Sequence, residues 1–211
     1  MEVVTQEKWF PSGSATTEGR TCHSVLAEWH MSSGCRRPPP FEIAGPLRLP
    51  GEVRVTEAEE IVADPDRSPD LADADRVFLR GWLAGLWRAI EDRGAVEQLI
   101  HSGPHPGNVL STSSGPLFID LEPCCRGPVE FDLAHVPAAV CDHYPGVDQE
   151  LLAECRQLVI AMVAAWRWDA GEQFPRGRRF GEELLRALRE GPPWPTLDTV
   201  VRRRDGPSSE L

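Results

Sequence analysis

Apolar side chains recur every three to four residues over several stretches of this chain, and that period predicts helices. The plainest runs from Asp70 to Arg93. There Leu71, Val77, Phe78, Leu79, Trp82, Leu83, Leu86, Trp87 and Ile90 share a wide face while charges fill the gaps, and Gly94 ends it. A second long periodic stretch spans Asp148 to Trp168, and a shorter one Phe180 to Arg189. Val25, Leu26, Trp29 and His30 predict a helix from Thr21 to Met31, stopped at Gly34. Residues 36–69 read as loop, with a short helix from Thr56 to Val62 opened by the capping pattern Thr56-x-x-Glu59. Phe131 to Val140 predicts a further helix, bent or interrupted at Pro137.

In the middle of the chain the pattern changes. Val96 to Ile100, Val109-Leu110 and Leu117 to Leu121 are short apolar runs bounded by turn residues, which predicts strands. The polar turn Ser111–Gly115 joins the last two, and a loop rich in Pro and Gly, His101–Asn108, precedes them. The expected fold class is therefore α+β and mainly helical, with a small β-hairpin carrying a polar loop on a scaffold. The organisation expected is an extended arm over 1–19, a single domain over 20–195 and a flexible tail over 196–211.

Composition narrows the function classes. The 22 basic and 33 acidic side chains give a net charge of −11, which argues against a nucleic-acid binder and against docking on an anionic membrane. No run of about 18 apolar residues offers a membrane span. Met1 to Phe10 lacks the apolar stretch of a secretory signal, so a cytoplasmic location is expected. The six cysteines lack C-x-x-C spacing and read as reduced thiols. Lys8 is the sole lysine; every other basic residue is Arg.

The candidate chemistry lies between Leu99 and Ala134, which holds His101, His105, Asn108, Asp120, Glu122, Glu130 and Asp132. A loop presents His and Asn, and a following strand ends in an acid, the arrangement in which an amide oxygen and a carboxylate meet a hard cation. His101, His105 and Asp120 also match in type a two-His-one-carboxylate centre. Cys124, beside them, is either an inert thiol or a nucleophile paired with one of the histidines. Asp132 reads as structural, accepting hydrogen bonds from the loop or a helix N-terminus.

This segment resembles the aminoglycoside phosphotransferase and choline kinase family, a branch of the protein-kinase-like fold. The family string runs close to H-G-D-x-H-x-x-N, then a strand ending I-D-[FLW]-[DE], then G-P-x-x-[WYF]-D-L-A. The chain has H-S-G-P-H-P-G-N at His101–Asn108, I-D-L-E at Ile119–Glu122 and G-P-V-E-F-D-L-A at Gly127–Ala134. The resemblance implies the helical C-terminal lobe of that fold, with Asn108 and Asp120 at the positions that hold Mg²⁺ in relatives.

Two departures accompany it. Gly103 stands where the family carries the catalytic Asp that orients and deprotonates the substrate hydroxyl, a task glycine cannot perform. The family's nucleotide-covering N-terminal lobe has no counterpart ahead of the first predicted helix, and Lys8 is the one lysine that could hold phosphates. The expected function is thus a repurposed, kinase-dead member binding a small molecule in the old substrate cleft. It would catalyse a different step there, a cyclisation, elimination or hydrolysis in specialised metabolism, with His101, His105, Asp120 and Glu122 as acid–base candidates. The alternatives are a non-catalytic pseudokinase-like partner or drug-binding immunity protein, and a residual ATP-dependent phosphotransferase. No cofactor is expected, with Mg²⁺ at Asn108 and Asp120 left open. The face uncovered by the missing lobe predicts a homodimer or a hetero-partner.

Overall fold

The computed structural model describes residues 50–105, 108–112, 115–121, 123–192 and 194. The expected arm 1–19, helix Thr21–Met31, tail 196–211 and candidate Glu122 lie outside the described residues. The rest is a mainly helical α+β chain, as expected, in two compact units.

The helical unit comprises Gly51–Ala95 and the chain from Asp148 onward. Its first helix, α1 (Pro50–Ala63), begins six residues before the expected Thr56. Proline at a helix start costs no hydrogen bond, because the first N–H groups have no partner in the helix. Val55, Ala58, Ile61 and Val62 of α1 are buried. Helix α2 (Asp73–Asp92) buries Leu79, Leu83 and Ile90 of the predicted face, whereas Val77, two residues from Leu79 and so on the opposite side of the helix, is exposed. Asp148 caps α4 (Gln149–Trp166), its Oδ1 accepting from Glu150 N at 2.9 Å and Leu151 N at 3.1 Å. Helix α4 packs against both α2 and α5 (Gly177–Glu190), so its burial runs nearly all round rather than along one stripe. Ala161, Ala164 and Ala165 are buried on it.

Charged side chains tie the loops of this unit. The Arg76 guanidinium donates to Val62 O, to Ser68 Oγ at 2.8 Å, to Ser68 O at 3.0 Å and to Leu71 O at 3.3 Å, which satisfies the carbonyls of the α1–α2 turn. Arg67 pairs with Asp169 at 2.7 Å and its carbonyl accepts from Ala170 N, also at 2.7 Å, which fastens that turn to the α4–α5 loop.

The other unit includes Val96–Val147 and carries the strands. Strand β1 (Gln98–Ile100) pairs antiparallel with β4 (Cys125–Gly127), Gln98 opposite Gly127 and Ile100 opposite Cys125. Strands β2 (Val109–Thr112) and β3 (Gly115–Phe118) form the expected hairpin, Val109 opposite Phe118 and Thr112 opposite Gly115. Within the predicted turn Ser111–Gly115, Ser111, Thr112 and Gly115 are strand, and Thr112 pairs with Gly115. The helix expected over Phe131–Val140 is two pieces: α3 (Val129–Leu133) and a 3₁₀ helix, Ala138–His143. Pro137 separates them because it has no N–H to continue α3. Ile100, Val109, Phe118, Phe131 and Leu133 are buried in this unit. No helix among the described residues is long and apolar enough to cross a membrane.

Candidate functional site

The loop after β1 is held from below by Asp132 on α3. One carboxylate oxygen accepts His101 N at 2.8 Å and the other accepts Ser102 N at 2.7 Å, and the carboxylate has no exposed surface. Ionised acceptors make such bonds short and strong. They hold Ser102 at φ 67°, a left-handed conformation that costs a residue with a Cβ about 1–2 kcal/mol. Ser102 is fully buried, and its hydroxyl has no partner among the described residues.

His101 is also fully buried. Its Nε2 lies 2.9 Å from Ile119 O, and a carbonyl only accepts, so Nε2 carries the proton. Its ring sits against Phe118 at 5.3 Å between centroids. Ile119 N in turn donates to Asn108 O at 2.9 Å, so the loop and the end of β3 are joined twice.

Asn108 and Asp120 come together across that join. The Asn108 amide Nδ2 donates to Gly103 O at 3.1 Å and to the Asp120 carboxylate at 3.3 Å. With the amide nitrogen engaged by two acceptors, Asn108 Oδ1 points away from them, as an acceptor for something else. Asn108 is buried, whereas Asp120 is exposed and held at φ 58°. An amide oxygen and an exposed carboxylate fit Mg²⁺, which takes one or two protein oxygens and completes its shell with water and phosphate. His105 projects into solvent, while its N–H donates to Gly103 O at 2.8 Å and its carbonyl accepts from Asn108 N at 2.9 Å. Gly103 itself is buried.

His101, His105 and Asp120 do not gather into the two-His-one-carboxylate centre; among the described residues no three His, Cys, Asp or Glu side chains do. The buried His101 ring is fastened to Ile119 O and leaves the exposed positions to His105 and Asp120.

Two groups gain meaning only in three dimensions. The half-buried Cys124 thiol is pushed up to about 11, first by burial and then by the Asp132 and Asp120 carboxylates. It is therefore protonated at neutral pH, which speaks against the nucleophilic reading. The Tyr144 phenol is also pushed up, by burial first and then by Asp132 and Cys141. Nothing in the local sequence marks Tyr144 beyond its being the single tyrosine.

The chain matches the model of the phosphotransferase enzyme family over residues 11–193. Among solved structures it is similar to the choline kinase LicA from Streptococcus pneumoniae, with a TM-score of 0.57 and 19% identity, covering 80% of this chain and 62% of that one. LicA in complex with AMP matches at the same TM-score and identity, with 60% of that chain covered. An ethanolamine kinase of Plasmodium vivax matches with a TM-score of 0.54 and 13% identity, over 79% of this chain and 58% of its own. This chain thus spans about three-fifths of the length of these kinases. No curated protein matches it. With a family match over residues 11–193, an intact Asn108–Asp120 pair and a kinase-like fold, the chain belongs to the phosphotransferase (APH) family.

Proposed function

We propose that this protein is a family member that binds a small molecule and has given up the family's phosphoryl transfer. The observation that carries the reading is Gly103. The loop around it is in order, with Asp132 holding its start and the Asn108 amide bonded to the Gly103 carbonyl, but no side chain is there to take a hydroxyl proton. Phosphoryl transfer depends on positioning and charge, and the positioned base typically contributes about 10²–10⁴-fold.

Asn108 Oδ1 and the Asp120 carboxylate are the groups that would hold Mg²⁺, which when bound neutralises charge on phosphate oxygens. His101 and Asp132 act as positioning residues for the loop. A repurposed step such as cyclisation, elimination or hydrolysis would draw on His105 and Asp120, the exposed candidates among the described residues. That short inventory, with His101 buried and Cys124 protonated, also favours the reading in which binding alone is the function, as a pseudokinase-like partner or a drug-sequestering protein. We place the protein in the cytoplasm, where thiols such as that of Cys124 stay reduced.

The test uses the full chain with Mg²⁺ and ATP against choline, ethanolamine and an aminoglycoside, followed by ADP release and phosphorus NMR. The wild type is expected to give no phosphorylated product. Gly103→Asp is expected to gain turnover, by up to about 10²–10⁴-fold over the wild-type background. Wild-type turnover equal to that of Gly103→Asp would overturn the reading.

A further inference from the structure

Helices α1 and α2 of the helical unit enclose an open groove of about 530 Å³. Thr56, Glu59, Glu60 and Ala63 form one wall; Val77, Arg80, Gly81 and Ala84 form the other. Each set repeats at three-to-four spacing, so each is one continuous helix face. The second wall is open at Gly81, where an added Cβ would meet nothing within 4 Å. Val77 stands out of the second wall, 71% exposed.

The charges on the two walls are incomplete. In this unit Arg67, Arg93, Arg167, Arg178 and Arg189 each make an ion pair, whereas Arg88 and Arg176, like Arg80, make none among the described residues. Glu59 on α1 and Arg80 on α2 make none among the described residues, and they do not pair with each other across the groove. The surface thus carries a knob and a hollow, and an unpaired anion and an unpaired cation, all on one face. A face with both halves of each match is complementary to itself, which is what a twofold interface requires.

We infer that this face is a homodimer interface. A second copy, related by a twofold axis, seats its Val77 in the groove beside Gly81 and sets its Arg80 against Glu59. The reciprocal contacts form at the same time. A chain of net charge −11 repels its own copy, so association is favoured where a cation of one chain meets an anion of the other. This inference is independent of the fate of phosphoryl transfer at Gly103.

The experiment is light scattering after gel filtration of the full chain over a concentration series. The wild type is expected at twice 23.4 kDa at the upper concentrations. Arg80→Glu places like charges opposite each other and should weaken association at least about tenfold. Glu59→Arg alone should do the same, and the double variant Glu59→Arg/Arg80→Glu should recover the dimer. Both positions are on the surface, and circular dichroism confirms that the variants fold. A wild type that stays at 23.4 kDa throughout overturns the inference and leaves the groove to a different protein. A dimer indifferent to all three variants overturns it too, because the contact then lies elsewhere.

Discussion

Asp132 and Ser102 form a matched pair of cost and support. The Ser102 backbone is left-handed and its buried hydroxyl has no partner among the described residues, both unfavourable. The Asp132 carboxylate holds it there through two N–H groups. Removing the cost and removing the support should therefore move stability in opposite directions. Ser102→Gly is expected to stabilise by about 1 kcal/mol, since glycine adopts φ > 0 freely and brings no hydroxyl. Asp132→Asn is expected to destabilise by about 2–3 kcal/mol, because one buried oxygen becomes an NH₂ facing another donor. Urea denaturation of the two variants reads both. The Cys124 thiol supplies a pH test. With its pKa near 11 rather than 9.0, about one molecule in a thousand is thiolate at pH 8, against about one in ten for an ordinary thiol. Iodoacetamide should thus label Cys124 about 100-fold more slowly in the folded protein than after unfolding, in buffer with EDTA. Because the folded pKa is the higher one, the unfolded chain ionises first. The Cys124 contribution to stability is unchanged well below pH 9 and falls as pH rises from there toward 11. Asp120→Asn removes one of the charges that raise this pKa, so it should speed the labelling; unchanged labelling would show that Asp120 does not reach the thiol.

At the scale of elements, glycines on two helices make opposite predictions. On α5, a Cβ at Gly181 would lie 2.8 Å from Arg167 Cβ and 3.2 Å from Trp168 Nε1, closer than atoms approach without movement of the helix. On α2, a Cβ at Gly85 would meet nothing within 4 Å. Gly181→Ala should cost about 1–3 kcal/mol by overpacking. Gly85→Ala should gain about 0.5–1 kcal/mol from helix propensity alone. Thermal melts of the two variants, shifted in opposite directions, check the packing of α5. The sequence pattern predicted α2 and α4 well, because each has enough turns for a period to show. It placed the start of α1 late, since the T-x-x-E pattern at Thr56 is a strong local signal and a proline-led start at Pro50 is a quiet one. It did not predict β4, whose three residues are too few for alternation to register. Its pairing partner, β1, lies more than twenty residues earlier. The candidate site divides the same way. Asn108 and Asp120 were legible from their motif, and so was a supporting role for Asp132. The burial of His101 and the protonated Cys124 were not, because both arise from contacts between segments with no shared local pattern.

For the whole molecule, the two units differ in how their backbone hydrogen bonds are protected. Helix α4 has ten buried residues in one continuous element, flanked by α2 and α5. The strand-bearing unit relies on two-stranded pairings three to four residues long and a helix of five residues. Short pairings of this kind are marginal by themselves, and amides exchange through the least costly opening available to them. Hydrogen exchange followed by mass spectrometry should therefore find the slowest amides within Leu151–Ala165, with amides of β2 and β3 exchanging at least about tenfold sooner. The first turn of the site loop should be an exception within its unit, because the His101 and Ser102 N–H groups donate to a carboxylate with no exposed surface. Their exchange should slow relative to β2 in the wild type and lose that protection in Asp132→Asn. Equal exchange of His101, Ser102 and the β2–β3 amides in the wild type would show that Asp132 does not hold the loop in solution. That result would remove the basis for treating the loop around Gly103 as preorganised.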